Sequence, residues 1–182
     1  FKSFSYLYKW PGSDPSLKPI ILMAHLDVVP VIEANIPDWK HPPFGGEIIN
    51  DTIWGRGTID DKVGVIGIME SLELLLKEGF KPARSLYISF GHDEEIGGEN
   101  GAEAIAQYLK ETHVEAEFVL DEGGSIVQQM VPDIDKEVAL IGIAEKGFVS
   151  LELSVKMEGG HSSMPEKETA IDVLSNAVVT LK

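Results

Sequence analysis

Apolar residues along this chain gather into near-continuous runs at 19–24, 85–90, 116–120 and 138–144. Short runs rich in aliphatic, β-branched and aromatic side chains are the pattern of strands buried on both faces. Helical spacing fills the intervals. Residues 63–77 are rich in Ile, Leu and Met, and Gly79 is a natural stop just beyond them. Residues 101–110 set Ala102, Ile105, Ala106 and Leu109 on one face. Residues 1–10 alternate loosely and read as a further strand. Glu47-Ile48-Ile49 and Thr52-Ile53-Trp54 read as a hairpin turning at Asn50-Asp51. Buried strands alternating with helices predict an α/β fold with a mostly parallel sheet flanked by helices.

The pattern changes near Gly147. Phe148, Ser150, Glu152 and Ser154 alternate with Val149, Leu151, Leu153 and Val155, which describes a strand with one solvated face. A loop over 159–165 and an amphipathic helix over 168–181 come next. This divides the chain into two domains, 1–146 and 147–182. One strand and one helix do not make a stable domain, so the second reads as the beginning of a longer one. The chain also opens at Phe1 rather than Met, which fits a piece of a longer protein.

The residues just past each buried run carry the candidate chemistry. The run at 19–24 ends in His25-Leu26-Asp27, and alternation puts His25 and Asp27 on the same side of an extended backbone. A carboxylate there can hold one imidazole nitrogen and leave the other free for a metal. The run at 85–90 ends in His92-Asp93-Glu94-Glu95, then Gly97-Gly98. Adjacent ionised carboxylates repel, and a nearby cation stabilises both. The run at 116–120 ends in Asp121-Glu122. At the start of the 63–77 helix stand Asp60 and Asp61: one can cap the helix, which leaves the other for a second task. The carboxyl ends of strands form the ligand-binding edge of α/β sheets. His41, in the long loop 28–46, and His113 are assigned no role.

Composition narrows the function classes. The formal net charge is −15, and no basic stripe exists to neutralise phosphates, which excludes nucleic acid as a partner. No apolar run has the length of a membrane span, so no membrane contact is expected from this segment. The 182 residues contain no Cys, which excludes disulfides, thiolate zinc ligands and a thiol nucleophile. The phosphate loop, the G-x-S-x-G elbow and the H-E-x-x-H helix are absent. One imidazole with several carboxylates suits zinc, cobalt or manganese in a site with open positions.

Five motifs then carry a family resemblance. They are Met23-Ala24-His25-Leu26-Asp27-Val28-Val29-Pro30, Trp54-Gly55-Arg56-Gly57-Thr58-Ile59-Asp60-Asp61-Lys62, His92-Asp93-Glu94-Glu95-Ile96-Gly97-Gly98, Asp121-Glu122-Gly123-Gly124 and Gly160-His161-Ser162-Ser163. Their order resembles that of the co-catalytic zinc aminoacylase/carboxypeptidase family, over essentially the whole chain. The lead-in from Gly12 to Pro19 looks like the branch of carboxypeptidase S and the N-fatty-acyl-amino acid synthase/hydrolases.

The resemblance implies a zinc exopeptidase-like catalytic domain followed by a smaller α+β, ferredoxin-like lid and dimerisation domain. It implies two zinc ions, with cobalt or manganese as alternatives. His25, Asp60, Glu95 and Asp121 would be the metal ligands, Asp60 bridging both ions. Asp27 would orient His25, Glu94 would act as general base, and His161 of the lid would stabilise the oxyanion. The family's last ligating His lies downstream and has no counterpart in this stretch. The implied substrate is a small molecule, an N-acyl amino acid or a short peptide cleaved at its C-terminal bond. Homodimerisation through the lid and a secreted, periplasmic or vacuolar-lumen location are implied as well. The alternative is a non-catalytic metal-binding relative or scaffold with the same fold. Glu94 discriminates, because a degenerate relative tends to lose its base or a ligand.

Overall fold

The computed structural model describes residues 1–181 apart from 145, 148, 162 and 164–166. The chain divides into two compact units, Phe1–Leu140 and Ile141–Lys182. The boundary thus falls slightly earlier than the division after 146 that the change of pattern predicts.

The first unit is built on four strands: β1, Tyr6–Trp10; β2, Ile20–His25; β5, Leu86–Gly91; and β6, Phe118–Leu120. They form one sheet in the order β1-β5-β2-β6. β2 runs parallel to both β5 and β6, while β1 pairs antiparallel with β5 at one edge. Every residue of β5 is buried, Ser89 among them, in keeping with its largely apolar sequence.

Each face of the sheet has its own core. On one face Ile21 and Tyr87 pack with Ile105 and Leu109 of α2, Ala102–Glu111. On the other, Ala24, Leu86, Ile88 and Phe90 pack with Val65, Ile68 and Leu72 of α1, Val63–Lys77. The spacing of these helix residues gives one stripe per helix. β3, Glu47–Ile49, and β4, Thr52–Trp54, form a separate hairpin. Asn50 and Asp51 at its turn have φ of 50° and 59°, the left-handed conformation that a tight two-residue hairpin requires.

Two expected strands behave differently. The 138–144 run contributes only β8, Val138–Leu140, and it joins β7, Ser125–Val127, in a two-stranded antiparallel ribbon instead of the main sheet. Closing a short local loop carries less entropic cost than reaching a distant strand, and the run 125–127 is the nearby partner. Residues 149–155 form no strand. Alternation supplies a face, but a strand also needs hydrogen-bonded neighbours, and the second unit offers none among its described residues.

That second unit contains α3, Ala170–Thr180, within the expected helical span. Thr169 and Asp172 cap it reciprocally: the Thr169 hydroxyl accepts the Asp172 N–H, and Asp172 accepts the Thr169 N–H. His161 lies in an exposed, irregular stretch. Ser162, Met164 and Pro165 of the expected loop lie outside the described residues. Among the described residues, no helix is long and apolar enough to cross a membrane.

Candidate metal centre

Strand register gathers the site. His25, the last residue of β2, pairs with Gly91, the last of β5, so the chain leaves both strands at the same edge. β6 runs in the same direction with Leu120 opposite Leu22, which brings Asp121 and Glu122 out beside them. The turn Thr58–Lys62 leads into α1 and carries Asp60 and Asp61.

His25 is the centre, with its side chain 3% exposed. On one side of the ring, Nδ1 lies 3.1 Å from the backbone carbonyl oxygen of Asp27 and 3.3 Å from its carboxylate. On the other, Nε2 lies 2.9 Å from Asp60, 3.2 Å from Glu122 and 3.9 Å from Glu94. The imidazole is thus held from behind and presents one nitrogen to a ring of carboxylates.

The two aspartates at the helix start divide the expected tasks. Asp61 is buried and accepts the N–H of Gly64 at 3.1 Å, capping α1, and the N–H of His25 at 3.3 Å. It ties the start of α1 to the end of β2. Asp60 is left to face the imidazole. Asp27 also does more than hold a ring: its two oxygens accept the backbone N–H groups of Glu94 at 3.1 Å and Glu95 at 3.0 Å. Glu95 in turn accepts the N–H of Val29 at 3.2 Å.

Crowding shifts the titrations. Burial raises the Glu94 carboxyl above its ordinary value; His25 opposes this, and the carboxylates of Glu95, Asp27 and Asp60 add to it. Glu122 is raised by burial and then by Asp61, with His25 again opposing. Burial by itself would lower His25, but the hydrogen bond to Asp60 and the charges of Glu122, Asp27 and Glu94 outweigh it, and His25 is raised.

Two groups of donor atoms lie within 4.8 Å of one another: His25 with Asp60 and Glu95, and His25 with Asp61 and Glu122. Two negative charges at such a distance repel by roughly 3 kcal/mol at an effective dielectric of about 20. Among the described residues, no Lys or Arg forms an ion pair with any of these carboxylates. The ammonium of Lys62 donates instead to the Leu26 carbonyl. A nitrogen and several carboxylate oxygens, crowded and with no Lys or Arg partner among the described residues, fit a divalent metal.

The expected residues His25, Asp27, Asp60, Glu94 and Glu95 come together. Asp121 lines a cavity of about 210 Å³ with His25, Glu94, Gly97 and Gly98, but it enters neither donor group. Its neighbour Glu122, absent from the expected ligand set, does. Glu122 reaches to 3.2 Å of His25 Nε2, while Asp121 lines the cavity beside the ring. The sequence marks both acids without distinguishing them.

Residues 21–181 match the family described as Peptidase family M20/M25/M40. The chain belongs to this family. It is 51% identical over 182 residues to the probable carboxypeptidase S-like 2 of Dictyostelium discoideum, covering 99% of this chain and 35% of that protein. It is 50% identical over 179 residues to an N-fatty-acyl-amino acid synthase/hydrolase of Xenopus tropicalis, covering 98% of this chain and 34% of that protein. The chain thus spans about a third of the length of these relatives, which lie in the branch its motifs resemble. Among solved structures, human carnosine dipeptidase 1 matches with a TM-score of 0.54 at 19% identity, over 65% of this chain and 24% of that one. That likeness is one of fold.

Proposed function

We propose that the protein containing this chain is a metal-dependent hydrolase of the amide bond in an N-acyl amino acid, or of the C-terminal peptide bond in a short peptide. The observation that carries the reading is the geometry at His25. Its Nε2 faces Asp60, with Glu94 beside it, in a crowd of carboxylates that no Lys or Arg pairs among the described residues. Family membership and the names of the relatives support the reaction class.

His25, Asp60, Glu95 and Asp121 would hold two zinc ions, or cobalt or manganese, with Glu122 as an added candidate. When bound, the ions supply Lewis acidity for water activation and carbonyl polarisation. Glu94 takes the proton of the attacking water and returns it to the leaving nitrogen. Asp27 orients His25 through Nδ1. His161, from the second unit, is assigned to the oxyanion by resemblance to the family's lid. The same resemblance supports a homodimer formed through that lid and a secreted, periplasmic or vacuolar-lumen location.

The test compares Glu94→Gln with Glu95→Gln in the full-length protein. Glu94→Gln should keep its metal while turnover of an N-acyl amino acid falls about 10²–10⁴-fold. Glu95→Gln should lose metal, because an amide oxygen is a poorer zinc ligand than a carboxylate. Near wild-type turnover in Glu94→Gln refutes the assignment of the base.

A further inference from the structure

Directly behind Glu94 sits a second acid with no part in the chemistry so far. Asp93 is buried, at 5% exposure. Its carboxyl Oδ2 accepts the backbone N–H of Asn100 at 2.7 Å. Its backbone carbonyl accepts the N–H of Gly98 at 2.7 Å and of Ile96 at 3.3 Å. One residue therefore closes the loop between β5 and α2 at three points. Asp93 Oδ1 is buried with no hydrogen-bond partner among the described residues, and an unmet buried acceptor costs about 1–3 kcal/mol.

The surroundings are shaped to admit this carboxyl. A Cβ at Gly101 would overlap Asp93 Oδ1 and come within 3.1 Å of the Ser5 hydroxyl. Ser5, itself buried, bonds to Nδ1 of His92 at 2.5 Å. The N-terminal segment thus braces the start of the loop while Asp93 closes it. On the opposite side, Asp27 holds the N–H groups of Glu94 and Glu95.

We propose that Asp93 is a positioning residue that fixes Glu94 at its place beside His25. The proposal rests on the role assigned to Glu94 above. Asp27 holds the Glu94–Glu95 backbone on one side, and the Asp93 carboxylate closes the same loop on the other through the Asn100 N–H, in addition to the Val29 N–H on Glu95 and the Gly97 N–H on the Glu94 carbonyl. Misplacement of a reacting group by about 1 Å can lower a rate by 10²-fold.

The experiment uses the full-length protein with Asp93→Ala, Asp93→Asn and Gly101→Ala. In steady-state hydrolysis of an N-acyl amino acid, Asp93→Ala should lower kcat per metal-loaded site roughly 10–100-fold with little change in KM. Asp93→Asn keeps an oxygen for the Asn100 N–H and should restore most of the rate. Gly101→Ala crowds the carboxyl without deleting it and should act as Asp93→Ala does, which covers the case where the alanine variant fails to fold. Hydrogen exchange read by mass spectrometry supplies a measure independent of turnover. Peptides spanning 92–101 should exchange faster in Asp93→Ala, while those of β5 stay protected. Unchanged exchange across 92–101 overturns the proposal even if the protein cleaves no substrate. So does unchanged kcat per loaded site, since a merely structural role lowers only the folded or loaded fraction. Absence of metal binding and turnover in the wild type would refute the proposed function instead.

Discussion

Replacing Asp27 by Asn separates the two services its carboxylate performs. The imidazole of His25 would keep a partner, because Nδ1 also lies 3.1 Å from the Asp27 backbone carbonyl. The amides of Glu94 and Glu95 would not both keep theirs. They bond to different oxygens, at 3.1 Å and 3.0 Å, and an Asn offers only one. In either amide orientation one N–H faces an NH₂. A hydrogen bond to a charged group contributes about 1.5–3 kcal/mol, with the lower end fitting a partly exposed site. Against this, removing one negative charge from the crowd returns about 1 kcal/mol, a fraction of the pairwise repulsion at an effective dielectric of about 20. The net loss of stability should be small, about 1 kcal/mol. Activity should fall much further, about 10–100-fold, as expected for partners that orient metal ligands and reacting groups. Urea unfolding, metal titration and steady-state kinetics on full-length wild type, Asp27→Asn and Asp27→Ala read all three quantities. Asn should be nearly as poor as Ala. If Asn instead retains wild-type kcat while Ala loses it, Asp27 acts on the imidazole alone and the amide bonds are incidental.

The same geometry predicts two further outcomes. Metal-stripped protein should lose stability as pH rises from the ordinary Glu value of 4.5 to beyond the ordinary His value of 6.5. Raised Glu94 and Glu122 bind more protons folded than unfolded above 4.5, and raised His25 does so above 6.5, so each favours the folded state below its ordinary value and loses that advantage as pH rises past it. Thermal melts across this range, with and without zinc, should show the slope in the stripped protein and its removal by metal; a flat stripped profile contradicts the crowding. Gly57→Ala should destabilise by about 1–2 kcal/mol from its left-handed φ of 81° alone. The added methyl also meets the Val28 side chain, beside the Val29 N–H that holds Glu95. Reduced metal affinity should accompany the lower Tm, and a variant with wild-type affinity would show that this contact is not transmitted.

Much of the site is legible in the sequence because strand ends announce themselves. An apolar run that stops in acids leaves little choice about which edge they occupy. The runs ending at His25, at Glu94–Glu95 and at Asp121–Glu122 therefore converge once their strands are parallel. Less legible are choices between neighbours. Asp60 and Asp61 are identical in sequence terms, and packing alone decides that Asp61 turns inward to Gly64 and His25 while Asp60 faces the ring. Glu122 reaches the imidazole while Asp121 lines the cavity beside it, a difference that the residue types do not announce. Asp93 carries no separate signal, since its burial depends on Gly101 and Ser5 from other parts of the chain.

What the amino-acid order determined by itself was local: hydrophobic period, helix stops and the residue types that can bind a metal. These depend on side chains a few positions apart, so the linear order contains them. Pairing partners are not local. The 138–144 run has the composition of a core strand, yet only Val138–Leu140 pairs, and it pairs with Ser125–Val127. The 149–155 stretch alternates well and forms no strand among its described residues. Whether a backbone finds hydrogen-bonded neighbours depends on which segments compete for the same edge and on the entropy of reaching it. Which carboxylate meets the imidazole depends likewise on angles set by the packed sheet and helices. Those are properties of the assembled structure, and the tertiary fold decided them.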